Sequence, residues 1–157
     1  MNKYIIGVLV IVALIAVYIF SNSGNQEQTK TAVASEIVVV ESSYDFGEID
    51  IFGGKVSTDY IIKNTGQEDV TVKSAFTSRM CTEGEIDNIL FGMHDNKKMS
   101  VVIPAGGEKV LTATYDPLAH GPSGTGKITR ELTIKTNSSI TPELVVKFSA
   151  DVVKNEE

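Results

Sequence analysis

The strictest constraint in this sequence is an alternation of apolar and polar residues with a period of two. In segment 143–153 every second residue from Leu144 to Val152 is apolar, and the positions between them are mostly polar. Segment 127–135 repeats the pattern. Because successive side chains of a β-strand point to opposite faces, this alternation predicts strands that bury one face, and it argues against amphipathic helices.

Strand and turn signals continue along most of the chain. Turn residues such as Asn64-Thr65-Gly66 separate segments rich in valine, isoleucine and threonine. We predict seven strands, at 36–43, 55–63, 68–76, 98–103, 109–115, 127–135 and 143–153. This number and spacing favour an all-β fold, a seven-stranded immunoglobulin-like antiparallel sandwich over residues 36–153. Residues 44–47 are predicted as a bend, and residues 77–97 as one long loop.

Composition narrows the class of function. The chain has no tryptophan and few aromatic residues, so the core is expected to be aliphatic. Its formal net charge is −6. Nucleic-acid binding needs clustered lysine and arginine for phosphate contacts, so no nucleic-acid partner is expected.

The N-terminus carries an uninterrupted apolar run. Residues 4–20 read YIIGVLVIVALIAVYIF and contain no charge, and a helix of that length spans roughly 25 Å, close to the thickness of the bilayer hydrocarbon. We predict residues 1–20 to be a transmembrane anchor or uncleaved signal, with Lys3 on the cytoplasmic side. The alternative is a cleaved signal peptide, although the apolar region of those is usually about 7–15 residues long.

The remaining domain limits and the localisation follow from that segment. Residues 21–35 are small and polar without periodicity, which predicts a flexible linker. Residues 154–157 form a short tail. The chain is therefore expected in the cell (inner or cytoplasmic) membrane as a single-pass protein, with an extracytoplasmic or periplasmic C-terminal domain.

A set of short motifs occurs in a familiar order. It comprises Asp45-Phe46-Gly47-Glu48-Ile49, Asn64-Thr65-Gly66, Cys81-Thr82, Pro104-Ala105-Gly106, Tyr115-Asp116-Pro117 and Thr136-Asn137. The set resembles the bacterial domain-of-unknown-function 1573 family, which is similar to the ASH, MSP and PapD immunoglobulin-like domains. The resemblance implies a secreted or membrane-anchored binding domain. Family members often carry two cysteines flanking one residue before a threonine, but here Arg79 stands at the first cysteine position, which leaves a disulfide or dithiol role in doubt.

The single cysteine belongs to a group of soft metal ligands. Thiolate, thioether and imidazole groups suit Cu(I), and the candidate ligands are Cys81, Met80, Met93, His94 and His120. A copper site is one interpretation of this group. The other is that Cys81 is a small buried apolar residue, that the methionines fill gaps and that the histidines are solvated. Pairing of Cys81 with another chain is a third alternative.

A nucleotide site and an enzyme activity are not expected. Residues 121–127 read GPSGTGK, but Ile128 stands where a phosphate-binding loop needs serine or threonine, and a strand follows instead of a helix. Nothing near Cys81 in the sequence shows the activation that a catalytic thiol needs.

Two hypotheses for function remain. The first is a tethered extracytoplasmic module that binds a protein partner at the outer face of the membrane. The alternative is a Cu(I)-binding domain for metal handling in the envelope; an inert spacer is also open. In either binding case we expect the active face at the end of the sandwich where loops 77–97 and 119–126 meet.

Overall fold

The computed structural model describes residues 32–93 and 98–155. The predicted anchor at 4–20 and most of the predicted linker lie outside these residues, as do His94 and the end of the predicted tail. Within the described ranges no helix is long and apolar enough to cross a membrane.

The described residues form two five-stranded sheets. The strands are β1 (Ile37–Val39), β2 (Ser43–Asp50), β3 (Val56–Asn64), β4 (Val70–Thr77), β5 (Thr82–Ile86), β6 (Ile89–Phe91), β7 (Val101–Ile103), β8 (Glu108–Tyr115), β9 (Gly126–Thr136) and β10 (Glu143–Val153). The first sheet has the order β1-β3-β8-β5-β6, and the second has the order β2-β10-β9-β4-β7. A 3₁₀ helix, Pro117–His120, joins β8 to the loop before β9.

The core lies between the inner faces of the two sheets. Every second residue of β10 from Val146 to Val152 is buried, and Leu132 and Ile134 of β9 are buried beside them. Most buried side chains are aliphatic, with Phe148 among the few aromatic ones. The prediction of an all-β sandwich that buries one face of alternating strands is therefore confirmed.

The predicted count of seven strands is wrong, and β2 is one reason. Residues 44–47 were expected to bend, but they belong to an edge strand whose side chains are mostly exposed. Between Asp45 and Glu48 the strand carries one more residue than β10 does between Ser149 and Asp151, which is a β-bulge. Gly47 has a φ of 67° there. An exposed, bulged strand lacks apolar alternation, so the sequence pattern did not reveal it.

The other missing strands form a hairpin inside the predicted loop 77–97. β5 and β6 are joined by Asp87 and Asn88, which have φ values of 55° and 61°. Two consecutive residues with positive φ are typical of a type I′ turn, for which Asn and Asp are suited. The glutamates of β5 break its apolar pattern, so this segment resembles a loop in sequence.

The sandwich is also not wholly antiparallel. β1 pairs with β3 in the first sheet, and the chain then passes to the second sheet, where β2 pairs with β10 in parallel. β2 and β10 therefore run in the same direction. The N-terminal strand region thus covers one edge of each sheet.

Residues 33–35, predicted as the end of the linker, are joined to the domain. Val33 N–H donates to the carbonyl of Asn137 at 3.0 Å. The Ser35 hydroxyl donates to the carbonyl of Glu68 at 2.8 Å, and Ser138 Oγ donates to the carbonyl of Ser35. We call this the entry end of the sandwich; the opposite end, formed by residues 51–55, 78–81 and 116–125, is the far end.

Tyr60 connects the two sheets, and we predict an alkaline dependence of stability from it. Its hydroxyl donates to the carbonyl of Lys147 at 2.7 Å. Burial, with a smaller contribution from Tyr44, raises the pKa of Tyr60 from 10.0 to about 12. Above pH 10 the unfolded chain releases this proton before the folded one does, so the free energy of unfolding falls as pH rises towards 12.

Tyr60→Phe removes that hydroxyl. We expect the variant to lose about 1 kcal/mol at neutral pH, and the difference from the native chain to shrink as pH rises from 10 to 12. Chemical denaturation at a series of pH values measures both. A difference that stays constant across this range would contradict the assignment.

Gly84 of β5 is required by the ring of Phe91, and we predict that Gly84→Ala destabilises the domain. A Cβ atom on Gly84 would lie 2.1 Å from Cζ of Phe91, which is itself buried. The ring must move within a packed core, at a cost of about 1–3 kcal/mol. Thermal unfolding measures the loss, and adding Phe91→Leu to Gly84→Ala should recover part of it because the smaller side chain leaves room. An unchanged melting temperature for Gly84→Ala would show that the contact is not needed.

Candidate functional site

The far end of the sandwich brings together the two loops singled out in the sequence. Asp116 N–H donates to the carbonyl of Cys81 at 3.0 Å, which joins the end of β8 to the turn before β5. The 3₁₀ helix follows at once, because Asp116 Oδ1 accepts from Leu118 N–H at 2.9 Å and Pro117 fixes the first helical residue. Gly121, with a φ of 81°, ends it.

Cys81 is held against a guanidinium group. Its side chain is only 3% exposed, and Arg130 Nε donates to its Sγ at 3.2 Å. Arg130 also donates to the carbonyl of Thr129 at 2.8 Å, and its guanidinium carbon lies 5.7 Å from the centre of the Tyr115 ring. The arginine is thus fixed by a sulfur, a carbonyl and an aromatic face, each of which interacts favourably with a cation.

Tyr115 completes this cluster from the core side. Burial raises the pKa of Tyr115, and the neighbouring Cys81 raises it further, while Arg130 lowers it. The ring packs against Phe148, with 5.7 Å between centres. A protonated, packed tyrosine here gives Arg130 a rigid apolar surface, so the cluster has the character of a structural contact.

A small cavity opens beside Cys81. It measures about 80 Å³ and is lined by Lys55, Met80, Cys81, Glu83, Thr114, Asp116 and Ala119. Lys55 and Glu83 form an ion pair of 3.4 Å at exposed positions. The volume suits a few water molecules, since each takes about 30 Å³ in the liquid, and is well below the several hundred Å³ usual for a small-molecule site.

The candidate copper ligands are not gathered in that cavity. Met80 and Cys81 line it, but Met80 is 67% exposed. Met93, just after β6, is partly buried, and His120 is exposed at the end of the 3₁₀ helix; neither lines the cavity. His94 lies outside the described residues.

The residue that the sequence interpretation missed is Arg130. Within residues 32–93 and 98–155 no three histidine, cysteine, aspartate or glutamate side chains are arranged to hold a metal ion. The donor to Cys81 is a cation instead. A sequence signal for it existed, because Arg130 takes an inward position between Ile128 and Leu132 of an alternating strand, where a charged residue needs a partner.

Strand edges are poorly suited to accept a partner strand. β1, β6 and β7, at three of the four edges, have only three residues each. β2, at the fourth, is longer, but it is bulged and carries Asp45, Glu48 and Asp50. The Asp45 carboxylate also accepts from the N–H of Gly47 at 3.0 Å. Short strands, bulges and charges are the usual protections of a sheet edge against strand addition.

The outer face of the first sheet carries a different feature, which we call the aliphatic row. It consists of Val40, Ile61 and Val110, which are 73%, 42% and 50% exposed. Ile61 of β3 is paired with Val110 of β8, and Val40 N–H donates to the carbonyl of Ile61 at 3.3 Å. Three large apolar side chains, one just after β1, one in β3 and one in β8, are therefore neighbours on the face that points away from the core.

Polar residues border the aliphatic row along the strands. Towards the far end, Thr112 Oγ1 donates to Asp59 Oδ1 at 2.7 Å, and Ser57 and Thr114 hydroxyls lie 2.9 Å apart. Towards the entry end lies Lys63, at an exposed position two residues from Ile61. An apolar centre with a polar rim on a rigid sheet is the usual composition of a protein-binding patch.

The second sheet carries a polar groove instead. It measures about 390 Å³ and is lined by Asp45, Gly47, Glu48, Lys127, Ile128, Thr129, Ser149, Ala150 and Asp151. A smaller depression near Tyr44 shares Thr129 and Ser149 with it. This groove offers carboxylates, hydroxyls and the Lys127 ammonium group to solvent beside the apolar residues Ile128 and Ala150.

A Cu(I) titration tests what remains of the copper hypothesis. Because the Arg130 cation already occupies Sγ, we expect Arg130→Gln to raise the affinity of Cys81 for Cu(I) by roughly tenfold, which is about 1.4 kcal/mol. Anaerobic competition with a Cu(I) chelator measures this on the whole chain in detergent. If neither Arg130→Gln nor Cys81→Ser changes the affinity for Cu(I), Cys81 is not a ligand.

This chain is similar to several solved structures at low sequence identity. A protein of unknown function from Porphyromonas gingivalis W83 is 19% identical with a TM-score of 0.61; the match covers 81% of this chain and 51% of that one, so this chain spans about half its length. A family 123 glycoside hydrolase from Clostridium perfringens is 6% identical with a TM-score of 0.53, over 78% of this chain and 28% of the hydrolase. The PapD-like domain 7 of human CEP192 is 14% identical with a TM-score of 0.49, over 85% and 97%.

The two likenesses with TM-scores above 0.5 concern the fold alone. No curated protein matches the sequence. The model of a family described as "Protein of unknown function (DUF1573)" matches residues 37–152, from the first strand almost to the end of the last. The chain therefore belongs to the DUF1573 family, as the order of its motifs indicated.

Proposed function

We propose that this protein is a membrane-tethered, extracytoplasmic module that binds a protein partner through the outer face of its first sheet. The observation that carries the proposal is the aliphatic row of Val40, Ile61 and Val110. Large apolar side chains are exposed singly on most protein surfaces, but a contiguous row with a polar rim marks an interaction site.

The energetics of the row suit a modest affinity. Fully burying a valine or isoleucine side chain is worth about 1.5–3 kcal/mol, and these three are already partly covered, so the row contributes on the order of 3 kcal/mol. An interaction of that strength becomes effective when both partners are confined to one surface. A tether supplies this by raising the effective concentration of the second molecule.

The apolar run at residues 4–20 supports the tether. Its seventeen positions contain no charge, and the polar residues 21–31 that follow separate it from the first described residue. With Lys3 retained in the cytoplasm, the domain lies on the outer side of the membrane. The partner is then a protein at that same face.

The far end fits a structural role better than a catalytic one. The Cys81 sulfur is buried and engaged by Arg130, and the neighbouring cavity of about 80 Å³ suits water. Stability is the natural role of that cluster. The protected edges leave the sheet face as the surface for recognition.

Site-specific photo-crosslinking in cells that make the whole chain tests this proposal. We expect a photoreactive amino acid at Val110 to give a discrete adduct, because that position lies in the contact. The matched control is Val145, which is exposed on the outer face of the second sheet. Equal labelling at both positions would contradict a specific face.

A substitution in the same experiment tests the apolar contact itself. Ile61→Lys places a charge in the centre of the row and is expected to lower the Val110 adduct by roughly tenfold, equivalent to about 1.4 kcal/mol. Val145→Lys is the control, because Val145 and Ile61 are both 42% exposed. An adduct that survives Ile61→Lys would show that the row does not bind.

A further inference from the structure

We infer that the partner of the aliphatic row is a second copy of this chain, related by a two-fold axis that runs along the row. This inference rests on the proposed function and names the partner for the same face. A two-fold contact needs a surface that is complementary to itself. The outward residues of β3 and β8 meet that condition.

The apolar part is complementary by position. Ile61 lies at the centre of the row, with Val40 on one side and Val110 on the other. Neighbouring strands are about 4.8 Å apart, so the row spans about 10 Å. An axis along the row turns one face onto the other and sets each of the three side chains against its own counterpart.

The charged part is complementary only in that orientation. Asp59 and Lys63 are both exposed on β3, two residues before and two residues after Ile61. A two-fold axis along the row exchanges these positions, so Lys63 of each copy faces Asp59 of the other. An axis along β3 would instead set lysine against lysine and aspartate against aspartate. Electrostatics therefore selects the first orientation.

Both charged groups are available for such pairs. The Asp59 carboxylate accepts from Thr112 through one oxygen, which leaves the other for a partner. Lys63 is in neither of the two ion pairs found among the described residues, Lys55–Glu83 and Lys109–Asp87. Asp87 lies at the end of the row, next to Val110. Its charge is balanced by Lys109 at 2.6 Å, so it adds little repulsion between the two copies.

Two further carboxylates lie on the rim of this face, Glu108 beside Lys63 and Glu85 beside Thr112. Under the same axis, Glu108 of β8 in one copy, which lies beside Lys63, faces the hydroxyl of Thr112 in the other copy. The strands of the two copies run in opposite directions, within the range of angles that stacked twisted sheets adopt.

Cysteine crosslinking of the whole chain in native membranes tests the inference. We expect Val110→Cys and Ile61→Cys each to form, under mild oxidation, a disulfide-linked product of twice the chain mass, since each residue faces its counterpart. The native chain, which keeps the buried Cys81, gives the background, and Val145→Cys is the control on the other sheet. A yield for Val110→Cys no higher than for Val145→Cys would overturn the inference.

Charge exchange tests the orientation. Lys63→Glu and Asp59→Lys should each lower the yield from Val110→Cys, on the order of fivefold, because two attractive pairs become repulsive. The double exchange should restore it. Thermal unfolding of each variant confirms that the fold is kept, and failure of the double exchange to restore the yield in folded protein would overturn the proposed axis.

Failure of the binding face and failure of the second copy as its partner are distinguishable. If Val110→Cys gives no self-crosslink while the photoreactive residue at the same position still forms an Ile61-dependent adduct with another protein, the binding face stands and the second copy is excluded. If neither product forms, the proposed function itself is excluded.

Discussion

Strand β10 is the element on which the rest of this domain depends. It lies between β2 and β9, with ten paired positions on the β9 side alone. Its inward residues supply the centre of the core, and its backbone accepts the Tyr60 hydroxyl that links the first sheet to the second. Since a sandwich is stable only when both inner faces are covered, the apolar alternation of this one strand determines where the other elements must pack.

The long alternating strands were predictable because their pattern is imposed by burial. Segments 55–63 and 127–135 were predicted, and the strands are Val56–Asn64 and Gly126–Thr136. Segment 143–153 was predicted without error. In each of these most side chains that enter the core are apolar, and those that leave it are mostly polar, so the sequence records the fold directly.

The elements that were missed are those whose residues are set by something other than the core. β2 has exposed side chains and an added residue at Gly47, and the β5–β6 hairpin depends on the left-handed pair Asp87 and Asn88. The far-end cluster was only partly predictable from the sequence. Cys81 was marked by its uniqueness, but its contact with Arg130 joins residues 49 positions apart, and no local pattern records such a pair. The aliphatic row was likewise hidden, because Val40, Ile61 and Val110 become neighbours only when β3 and β8 pair and the segment after β1 reaches Ile61.

The bulge and carboxylates of β2 have a consequence for the size of any assembly. Pairing through a sheet edge is open-ended, because each added strand presents a new edge, and it leads to filaments. Contact through a sheet face buries the surface that forms it, so no new binding surface is created. The longest edge strand of this chain is bent at Gly47 and carries Asp45, Glu48 and Asp50. Pairing through a sheet edge is therefore obstructed, whereas contact through a sheet face is open. Its geometry thus disfavours polymers built through sheet edges.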